Sequence, residues 1–362
     1  MADESYIQLT IEIAKKGEGS VSPNPLVGCV ITKNNRIIGA GYHQKFGEEH
    51  AEINAINSSS ETLEDSTLYV NLEPCSHHGK TPPCVDRIIN EKIKRVVIGT
   101  LDINPLVSGN GVKALKKAGI DVKVGVLEKE CIELNKFFFK YISEKLPYVT
   151  LKAAQTLDGM IADKNNHSEW ISCGEARKHV HWLRARYDAV LIGSETARLD
   201  NPKLTVRMVE GRNPFRVVLD SNLKLKRELN LFKNNSDNKT IVVTSEKNKS
   251  RLKKIDQLEK LGVKVLFIKS DTHGRIQLKS VLKELSKQHI TSVFVEGGSK
   301  IYSSFIKQNL FDDIYLFVSP KILGCGLNTF SEFKSNKLGD AAKLNIRRTQ
   351  KIGDDILIEL VK

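Results

Sequence analysis

The sequence of 362 residues lacks several features that mark membrane, secreted and disulfide-rich proteins. No apolar run approaches the roughly 20 residues that a membrane helix needs, so we expect no membrane-spanning segment. The opening residues MADESYIQLT are acidic and amphipathic and lack the pattern of a secretory signal peptide. The six cysteines are too sparse for a disulfide framework in a chain of this length. Together these absences predict a soluble protein of the reducing cytoplasm.

A compact basic segment is also missing, although the formal net charge is +13. The lysines are scattered along the whole chain, so the charge alone does not indicate a nucleic-acid partner. It fits either a Lys-rich surface or a positive field that attracts phosphorylated small molecules. Apolar residues make up 40% of the chain and charged residues 27%, which predicts a globular protein without a large disordered region.

The length favours two domains, because one hydrophobic core rarely serves 362 residues. Residues 1–145 alternate helix-like and strand-like segments, which predicts an α/β layer sandwich. An aromatic and then basic stretch, Phe137–Leu146, leads to Pro147, and we place the domain boundary near 146. Beyond it, strands alternate with helices, which predicts a largely parallel sheet with ligands at the strand ends. The polar loop Lys226–Lys239 is expected to be exposed.

Individual elements can be predicted in both parts from apolar patterning and turn residues. The patterns predict a hairpin at Val27–Thr32 and Ile37–Ala40, a helix at His50–Asn57, and strands at Thr67–Leu72, Ala189–Gly193 and Ser292–Glu296.

One group of residues in the first part has the composition of a catalytic zinc site. The sequence reads His50-Ala-Glu52, then Cys75 and, after eight intervening residues, Cys84. One imidazole and two thiolates suit Zn²⁺, and three protein ligands leave a fourth position for water, as in catalytic sites. Zinc lowers the pKa of its bound water to about 7. Glu52, on the same predicted helix, is placed to move protons in a hydrolytic deamination, as in base deaminases.

Other interpretations of this region stay open on the residues alone. A structural zinc site would need a fourth protein ligand, which His77 or His78 could supply, and a chance scatter of His and Cys is the other alternative. Asn24, between two prolines, is either a turn residue or a hydrogen-bond partner for an exocyclic group of a substrate ring. His43 and Lys80 are either solvated side chains or contacts for a phosphate.

The second part carries weaker signals. An apolar strand ends in Gly297-Gly298 before a helical pattern, and such a turn lets backbone N–H groups approach a phosphate, although a lone Gly-Gly turn is common. Arg184 and Arg207 either clamp a substrate phosphate bidentately or form surface salt bridges.

Two further residues of the second part, Trp170 and Ser221, can be interpreted from the sequence. Core packing is the default role of Trp170. Ser221, with Lys224 nearby, follows a predicted strand at a place where a 2′-phosphate could be read. This position modestly favours NADPH over NADH.

Motifs in both parts resemble those of the bifunctional deaminase–reductase family of riboflavin biosynthesis. In the first part they are Ser22-Pro-Asn-Pro-Leu-Val-Gly-Cys-Val, His50-Ala-Glu and Pro74-Cys-Ser-His-His-Gly-Lys-Thr-Pro-Pro-Cys84. The long insert between the cysteines is typical of that family and absent from cytidine and tRNA-adenosine deaminases. Matching motifs in the second part are Leu157-Asp-Gly, Ser168-Glu-Trp-Ile-Ser, Gly193-Ser-Glu-Thr, Asp200-Asn-Pro-Lys-Leu-Thr-Val-Arg and Val295-Glu-Gly-Gly. The resemblance runs nearly end to end.

The resemblance implies a fold and an activity for each part. Residues 1–146 would form a cytidine-deaminase-like αβα sandwich, a zinc-dependent pyrimidine deaminase. Residues 147–362 would form a dihydrofolate-reductase-like α/β domain, an NADPH-dependent reductase. The implied reactions are hydrolytic deamination of 2,5-diamino-6-(5-phosphoribosylamino)pyrimidin-4-one and then reduction of the product's ribosyl chain to ribityl. A dimer or tetramer, joined through the reductase part, is also implied.

The resemblance implies site residues as well. The deaminase substrate contacts would be Asn24, His43, His77 and Lys80. The reductase substrate contacts would be Ser168, Arg184, Leu204, Arg207 and Glu296. The NADPH contacts would be Ala154, Trp170, Thr196, Asp200, Ser221, Gly298, Ser299, Lys300, Ile301, Tyr302, Ser303 and Ser304.

Two other functions compete with a bifunctional enzyme. A nucleic-acid or nucleoside deaminase with an accessory nucleotide-binding domain is compatible with the basic charge, but the cysteine spacing and the second set of motifs oppose it. A non-catalytic zinc or nucleotide-binding scaffold is opposed by the presence of Glu52.

Overall fold

The computed structural model describes residues 2–77, 82–105 and 107–362. The chain divides into two compact units, Met1–Leu146 and Pro147–Lys362, and each has a main sheet of its own. In the described part of the chain, no helix is long and apolar enough to cross a membrane.

The first unit alternates strands and helices. Its strands are β1 (Gly28–Lys33), β2 (Arg36–Tyr42), β3 (Thr67–Leu72), β4 (Arg95–Thr100) and β5 (Asp121–Val124). Its helices are α1 (Asp3–Ala14), α2 (Ala51–Asn57), α3 (Cys84–Asn90), α4 (Asn110–Lys117), α5 (Glu128–Leu134) and α6 (Lys136–Glu144).

The strands of the first unit form one mixed sheet in the order β2-β1-β3-β4-β5. β1 is antiparallel to both neighbours, whereas β3, β4 and β5 are parallel. Because side chains alternate along a strand, Cys29 and Ile31 face a core shared with α2, α3 and α4. Val30 faces a second core shared with α1 and α5. Helices on both faces of the sheet make the αβα sandwich that the sequence predicts.

The second unit has more strands than the sequence pattern indicates. Its strands are β6 (Tyr148–Thr156), β7 (Met160–Ala162), β8 (Ala189–Gly193), β9 (Phe215–Leu219), β10 (Thr240–Ser245), β11 (Lys264–Ile268), β12 (Ser292–Gly297), β13 (Asp313–Ser319), β14 (Leu327–Asn328), β15 (Asn345–Ile352) and β16 (Asp355–Val361). Its helices are α7 (Gly174–Arg186), α8 (Ser194–Asp200), α9 (Asn230–Lys233), α10 (Leu252–Glu259), α11 (Leu278–Ser286) and α12 (Ser299–Lys307).

The main sheet of the second unit has the order β11-β10-β9-β8-β12-β6-β13-β16-β15. The first seven strands in this order, which begins with β11 and reaches β13, are parallel, as predicted. The terminal hairpin of β15 and β16 adds an antiparallel edge. The chain runs outward from β8 to β11 and then returns to place β12 between β8 and β6. Connections therefore diverge at the carboxyl ends of these central strands, where open parallel sheets bind ligands.

The prediction that the segment Lys226–Lys239 is an exposed loop is wrong in part. It contains the short helix α9, in which Leu231 and Phe232 are each only 1% exposed. Arg216 of β9 is buried beneath the segment and donates hydrogen bonds to Asp237. The polar composition is misleading here because these polar groups satisfy a buried cation rather than meeting solvent.

Candidate active sites

The three predicted metal ligands of the first unit come from three different elements. His50 immediately precedes α2, Cys75 lies in the loop after β3, and Cys84 is the first residue of α3. Their ligand atoms lie within 4.8 Å of one another. Nδ1 of His50 is 3.5 Å from Sγ of Cys75 and 3.3 Å from Sγ of Cys84. The fold thus brings the three residues into one cluster.

The chemistry of this cluster fits zinc. Hydrogen bonds from the Cys84 thiol and from the His50 imidazole lower the pKa of Cys75, and a thiolate is the form that binds a metal. Among the described residues no fourth His, Cys, Asp or Glu joins the cluster; His77 is outside it, and His78 lies outside the described residues. Three protein ligands with an open position are typical of catalytic zinc.

Glu52 lies in the first turn of α2, two residues after His50, and is only 3% exposed. Burial raises the pKa of its carboxyl group to about 7, and the charge of His50 acts against this rise. A carboxyl group that titrates near neutrality can both accept and return a proton during a reaction.

Asn24 and His43 form a hydrogen-bonded pair beside the cluster. His43 is 2% exposed, and its ring lies edge-on to that of His50 with centroids 5.4 Å apart. Nδ1 of His43 donates to the carbonyl oxygen of Glu49 at 3.0 Å, so Nε2 accepts from the side-chain amide of Asn24 at 3.1 Å. The solvated alternative for His43 is therefore wrong. Asn24, with its N–H group held, keeps a carbonyl oxygen to offer to a substrate.

The second unit contains a cavity of about 1300 Å³ at the carboxyl ends of its parallel strands. Small-molecule sites are typically about 300–1,000 Å³, so there is room for a cofactor and a substrate together. The predicted reductase residues that line it are Ala154, Ser168, Trp170, Arg184, Thr196, Asp200, Leu204, Arg207, Ser221, Glu296, Gly298, Ser299, Lys300, Ile301, Tyr302 and Ser304. Ser303 is fully buried behind this wall, where its hydroxyl accepts the N–H of Glu332 at 3.2 Å.

Arg184 forms a buried ion pair. Its Nε and Nη2 donate to the two carboxylate oxygens of Glu296 at 2.5 and 2.7 Å, and the two side chains are 12% and 7% exposed. The bidentate phosphate clamp predicted for Arg184 is not available in this arrangement, and a surface salt bridge is also wrong. Arg207 is exposed; its main-chain N–H donates to Nδ1 of His181 at 3.1 Å. Of these two predicted arginines, Arg207 is therefore the one that can reach an anionic ligand.

The predicted strand, glycine turn and helix are present at β12 and α12. The N–H of Gly298 donates to Oγ1 of Thr196 at 3.3 Å, and a Cβ built on Gly298 would lie 3.0 Å from that oxygen. Ser299, the first residue of α12, donates to the carbonyl oxygen of Asn328 at 2.7 Å. The absence of a side chain at Gly298 permits this close approach of β12 and α8.

Trp170 and Ser221, which the sequence analysis considered as cofactor contacts, both line the cavity. Trp170 is 63% exposed at the cavity, with the Arg177 guanidinium 4.4 Å from its ring centroid, so core packing is wrong for it. Ser221 lines the cavity, but Lys224, its neighbour in sequence, does not.

Comparison with known proteins identifies the family. Residues 147–358 match the family model described as the RibD C-terminal domain, and residues 1–100 match the cytidine and deoxycytidylate deaminase zinc-binding region. The riboflavin biosynthesis protein RibD of Aquifex aeolicus is 43% identical over 357 residues, 98% of this chain and 97% of that protein. The chain belongs to the RibD family.

Other RibD proteins and solved structures agree. Escherichia coli RibD is 35% identical over 377 residues, 100% of both chains. The Thermotoga maritima structure of a diaminohydroxyphosphoribosylaminopyrimidine deaminase/5-amino-6-(5-phosphoribosylamino)uracil reductase has a TM-score of 0.89 at 43% identity, and the match covers 99% of this chain and 98% of that one. Acinetobacter baumannii RibD has a TM-score of 0.89 at 34% identity, with the same coverage.

Family membership confirms the bifunctional prediction rather than the nucleic-acid deaminase. The chain is an enzyme of riboflavin biosynthesis with a zinc-dependent deaminase domain and an NADPH-dependent reductase domain.

Sequence reasoning missed two carboxylates, Glu73 and Asp102, beside the deaminase site. Glu73, buried just before Cys75, accepts three backbone N–H groups that follow β4: those of Asp102 and Gly109 in the loop and that of Val112 in α4. Burial raises the pKa of Asp102 to about 6. The sequence does not reveal these two carboxylates because Glu73 bonds to residues that are distant along the chain.

Two predicted substrate contacts of the deaminase remain. His77 has a buried Nδ1 with no hydrogen-bond partner among the described residues, and Lys80 lies outside them.

Lys152 was also missed. It lies on β6 and lines the reductase cavity. Burial lowers the pKa of its ammonium group, while the nearby carboxylate of Glu296 raises it and the charge of Arg184 lowers it further. A lysine in an apolar strand was the available signal, since such a strand buries a charge only where it has a partner.

Proposed function

We propose that the first unit deaminates 2,5-diamino-6-(5-phosphoribosylamino)pyrimidin-4-one and that the second unit reduces the ribosyl chain of the product to ribityl with NADPH. The convergence of His50, Cys75 and Cys84 beside the buried Glu52 is the observation that carries the deaminase assignment. The printed name of the Thermotoga maritima protein, a deaminase of a phosphoribosylamino-pyrimidine, supports this choice of substrate.

In the deaminase, we assign His50, Cys75 and Cys84 to the metal and Glu52 to proton transfer. Zinc, when bound, acidifies water at neutral pH. Water loses both of its protons in turn as its oxygen bonds to the ring carbon that carries the amino group. Glu52 accepts these protons and returns one to the ring nitrogen and one to the amino group, so that the C–N bond breaks and ammonia leaves. Asn24 accepts a hydrogen bond from an exocyclic amino group of the ring.

The remaining deaminase contacts would hold the substrate. His43 orients the amide of Asn24 through the 3.1 Å hydrogen bond between them. His77 and Lys80 would contact the ribosyl-phosphate end; the buried, unpartnered Nδ1 of His77 supports its part of this assignment.

In the reductase, NADPH supplies the hydride. Addition at C1′ of the ribosyl group opens the bond from C1′ to the ring oxygen, and that oxygen takes up a proton. We assign this proton to Lys152, because it lies in the cavity with an ammonium group whose pKa is lowered by burial. The nearby carboxylate of Glu296 favours the charged ammonium form, and Arg184 orients Glu296 through their two hydrogen bonds.

The rest of the cavity would divide between the two ligands. The proposed substrate contacts are Ser168, Arg184, Leu204, Arg207 and Glu296. The proposed cofactor contacts are Ala154, Trp170, Thr196, Asp200, Ser221, Gly298, Ser299, Lys300, Ile301, Tyr302 and Ser304. Ser303, which is buried, would support α12 without touching the cofactor.

The enzyme would work in the cytoplasm as a homodimer or tetramer on this phosphorylated pyrimidine, with no nucleic-acid partner. The absence of a compact basic segment in the sequence supports the small-molecule substrate. Light scattering of the purified chain should give a mass of two or four protomers, and a monomer at micromolar concentration would contradict the assembly.

A coupled assay tests the two activities. Purified protein is mixed with zinc, NADPH and the diaminopyrimidine substrate, and ammonia and NADPH absorbance are followed together. We expect ammonia release and substrate-dependent loss of NADPH. Ammonia release without NADPH loss would contradict the proposed reductase, and formation of inosine in tRNA would instead favour the nucleic-acid deaminase.

A further inference from the structure

The cavity of the second unit extends past the residues predicted for the cofactor. Its lining continues along the turn between β11 and α11, which includes Arg275, and into the first turn of α11, which includes Lys279. Both residues are exposed, and neither belongs to the predicted set. Lys224, the cation that the sequence places near Ser221, is not part of the lining.

The turn after β11 is linked to Ser221 indirectly, through hydrogen bonds made by Ser245 at the end of β10. The N–H of Ser245, at the end of β10, donates to the carbonyl oxygen of Ser221 at 3.4 Å. The hydroxyl of Ser270 donates to that of Ser245 at 2.8 Å. Ser270 in turn forms a β-bridge with Ile276. Ser221 and the turn after β11 both line the cavity, and Ser245 and Ser270, which are outside the lining, connect them.

The main chain at Arg275 is held firmly although its side chain is exposed. Asp271 Oδ1 accepts the N–H of Arg275 at 2.8 Å, and the N–H of Asp271 donates to the carbonyl oxygen of Arg275 at 2.8 Å. The guanidinium meets the Glu332 carboxylate at 3.8 Å, with side-chain exposures of 63% and 30%. A long ion pair between largely exposed side chains contributes little to stability, so a phosphate can compete with Glu332 for Arg275.

The order of the strands gives an order along an extended ligand. The glycine turn at Gly298 follows β12, and Ser221 follows β9, two strands away. At about 4.8 Å per strand, these positions are roughly 10 Å apart across the sheet. Arg275 follows β11, farther out in the same direction. A dinucleotide with its pyrophosphate at Gly298 would thus extend its adenosine half toward Ser221 and Arg275.

We propose that Arg275 and Lys279, together with Ser221, bind the 2′-phosphate of NADPH and set the preference for NADPH over NADH. This inference rests on the proposed reductase function. Arginine and lysine are the side chains that bind phosphate by charge-assisted hydrogen bonds, and the 2′-phosphate is the group by which the two cofactors differ. Lys224 has no part in this recognition.

Binding of ligands without turnover tests the proposal. Calorimetry gives the dissociation constants of NADP⁺, NAD⁺, adenosine 2′,5′-bisphosphate and 5′-AMP for the full chain and its variants. Arg275→Ala and Lys279→Ala should each weaken NADP⁺ and the bisphosphate by about tenfold. NAD⁺ and 5′-AMP should change by less than about twofold, because they lack the 2′-phosphate. Lys224→Ala, at an exposed lysine outside the lining, is the matched control and should change none of the four.

A variant of opposite sign uses the competing carboxylate. Glu332→Gln releases Arg275, so NADP⁺ should bind more tightly while NAD⁺ is unchanged. Equal weakening of NADP⁺ and NAD⁺ in the Arg275 and Lys279 variants, or no change in either, would overturn the proposal while leaving the reductase assignment intact. If the unmodified protein binds neither NADP⁺ nor the bisphosphate, this inference and the proposed reductase function fail together.

Discussion

Replacing Glu296 by Gln should destabilise the second unit by about 3 kcal/mol, because Arg184 would stay buried without its counter-ion. The two side chains are 12% and 7% exposed and share two hydrogen bonds. Removal of one partner of a buried pair typically costs about 3–5 kcal/mol. We expect the lower end because Gln keeps one acceptor oxygen and because Lys152, near the same carboxylate, can release its proton.

Tryptophan fluorescence can follow this unit selectively, since both tryptophans, Trp170 and Trp182, lie in it. With a slope of about 2 kcal/mol per molar urea, a loss of about 3 kcal/mol lowers the unfolding midpoint by about 1.5 M. The matched control is Asp256→Asn, which breaks an ion pair with Lys260 whose side chains are 58% and 73% exposed. Such a pair contributes at most about 0.5 kcal/mol.

Equal midpoints for Glu296→Gln and Asp256→Asn would refute this reasoning. The double variant Arg184→Met with Glu296→Leu removes both charges and should recover most of the lost stability. A double variant as unstable as the single one would attribute the cost to shape instead of buried charge.

Three further contacts of the first unit predict changes in zinc content, in acid stability and in amide exchange. Cys84→Ser should lower bound zinc, measured by mass spectrometry, from about one per chain to below about a tenth, whereas Cys325→Ser, at an exposed cysteine, should not. Arg95 lowers the pKa of Asp3 from 3.8 to about 2, so this pair stabilises the fold above pH 4 and the contribution is lost as the pH falls toward 2; Asp3→Asn should remove that step from the hydrogen exchange of α1. Glu73→Gln should speed amide exchange at Asp102, Gly109 and Val112 by about tenfold, since Gln has one acceptor oxygen for these three N–H groups.

Each of these has a contrary outcome. Full zinc content in Cys84→Ser would remove that cysteine from the metal site. An unchanged acid step in Asp3→Asn would assign the pH dependence to other carboxyl groups. Unchanged exchange in Glu73→Gln would show that the loop holds its shape without this side chain.

The metal site could be predicted because its residue types are grouped by short motifs. His50 and Glu52 are two positions apart, and Cys75 and Cys84 are nine apart. The role of Arg184 could not be predicted in this way, since its partner Glu296 is 112 residues away. That pair exists because β12 returns to the middle of the sheet, and a phosphate clamp was the natural interpretation of an arginine whose partner the sequence does not reveal.

The same reasoning separates the strands that could be predicted from those that could not. Thr67–Leu72 and Ala189–Gly193 are apolar strands at the centre of their sheets, and the structure has them with the predicted bounds. The strand Asn345–Ile352 is exposed at nearly every position, so it lacks the apolar alternation that marks a half-buried strand. The helix Lys136–Glu144 is not predicted from the sequence, which indicates only a domain boundary nearby, because its run of phenylalanines obscures a helical period.

The most direct test of the account is whether the two activities can be separated at Glu52. In Glu52→Gln, ammonia release from the diaminopyrimidine should fall by at least about 100-fold. Reduction of the already deaminated compound with NADPH should be unchanged, because the reductase residues lie in the second unit. Loss of both activities in a folded Glu52→Gln protein with full zinc content would contradict the assignment of one reaction to each unit.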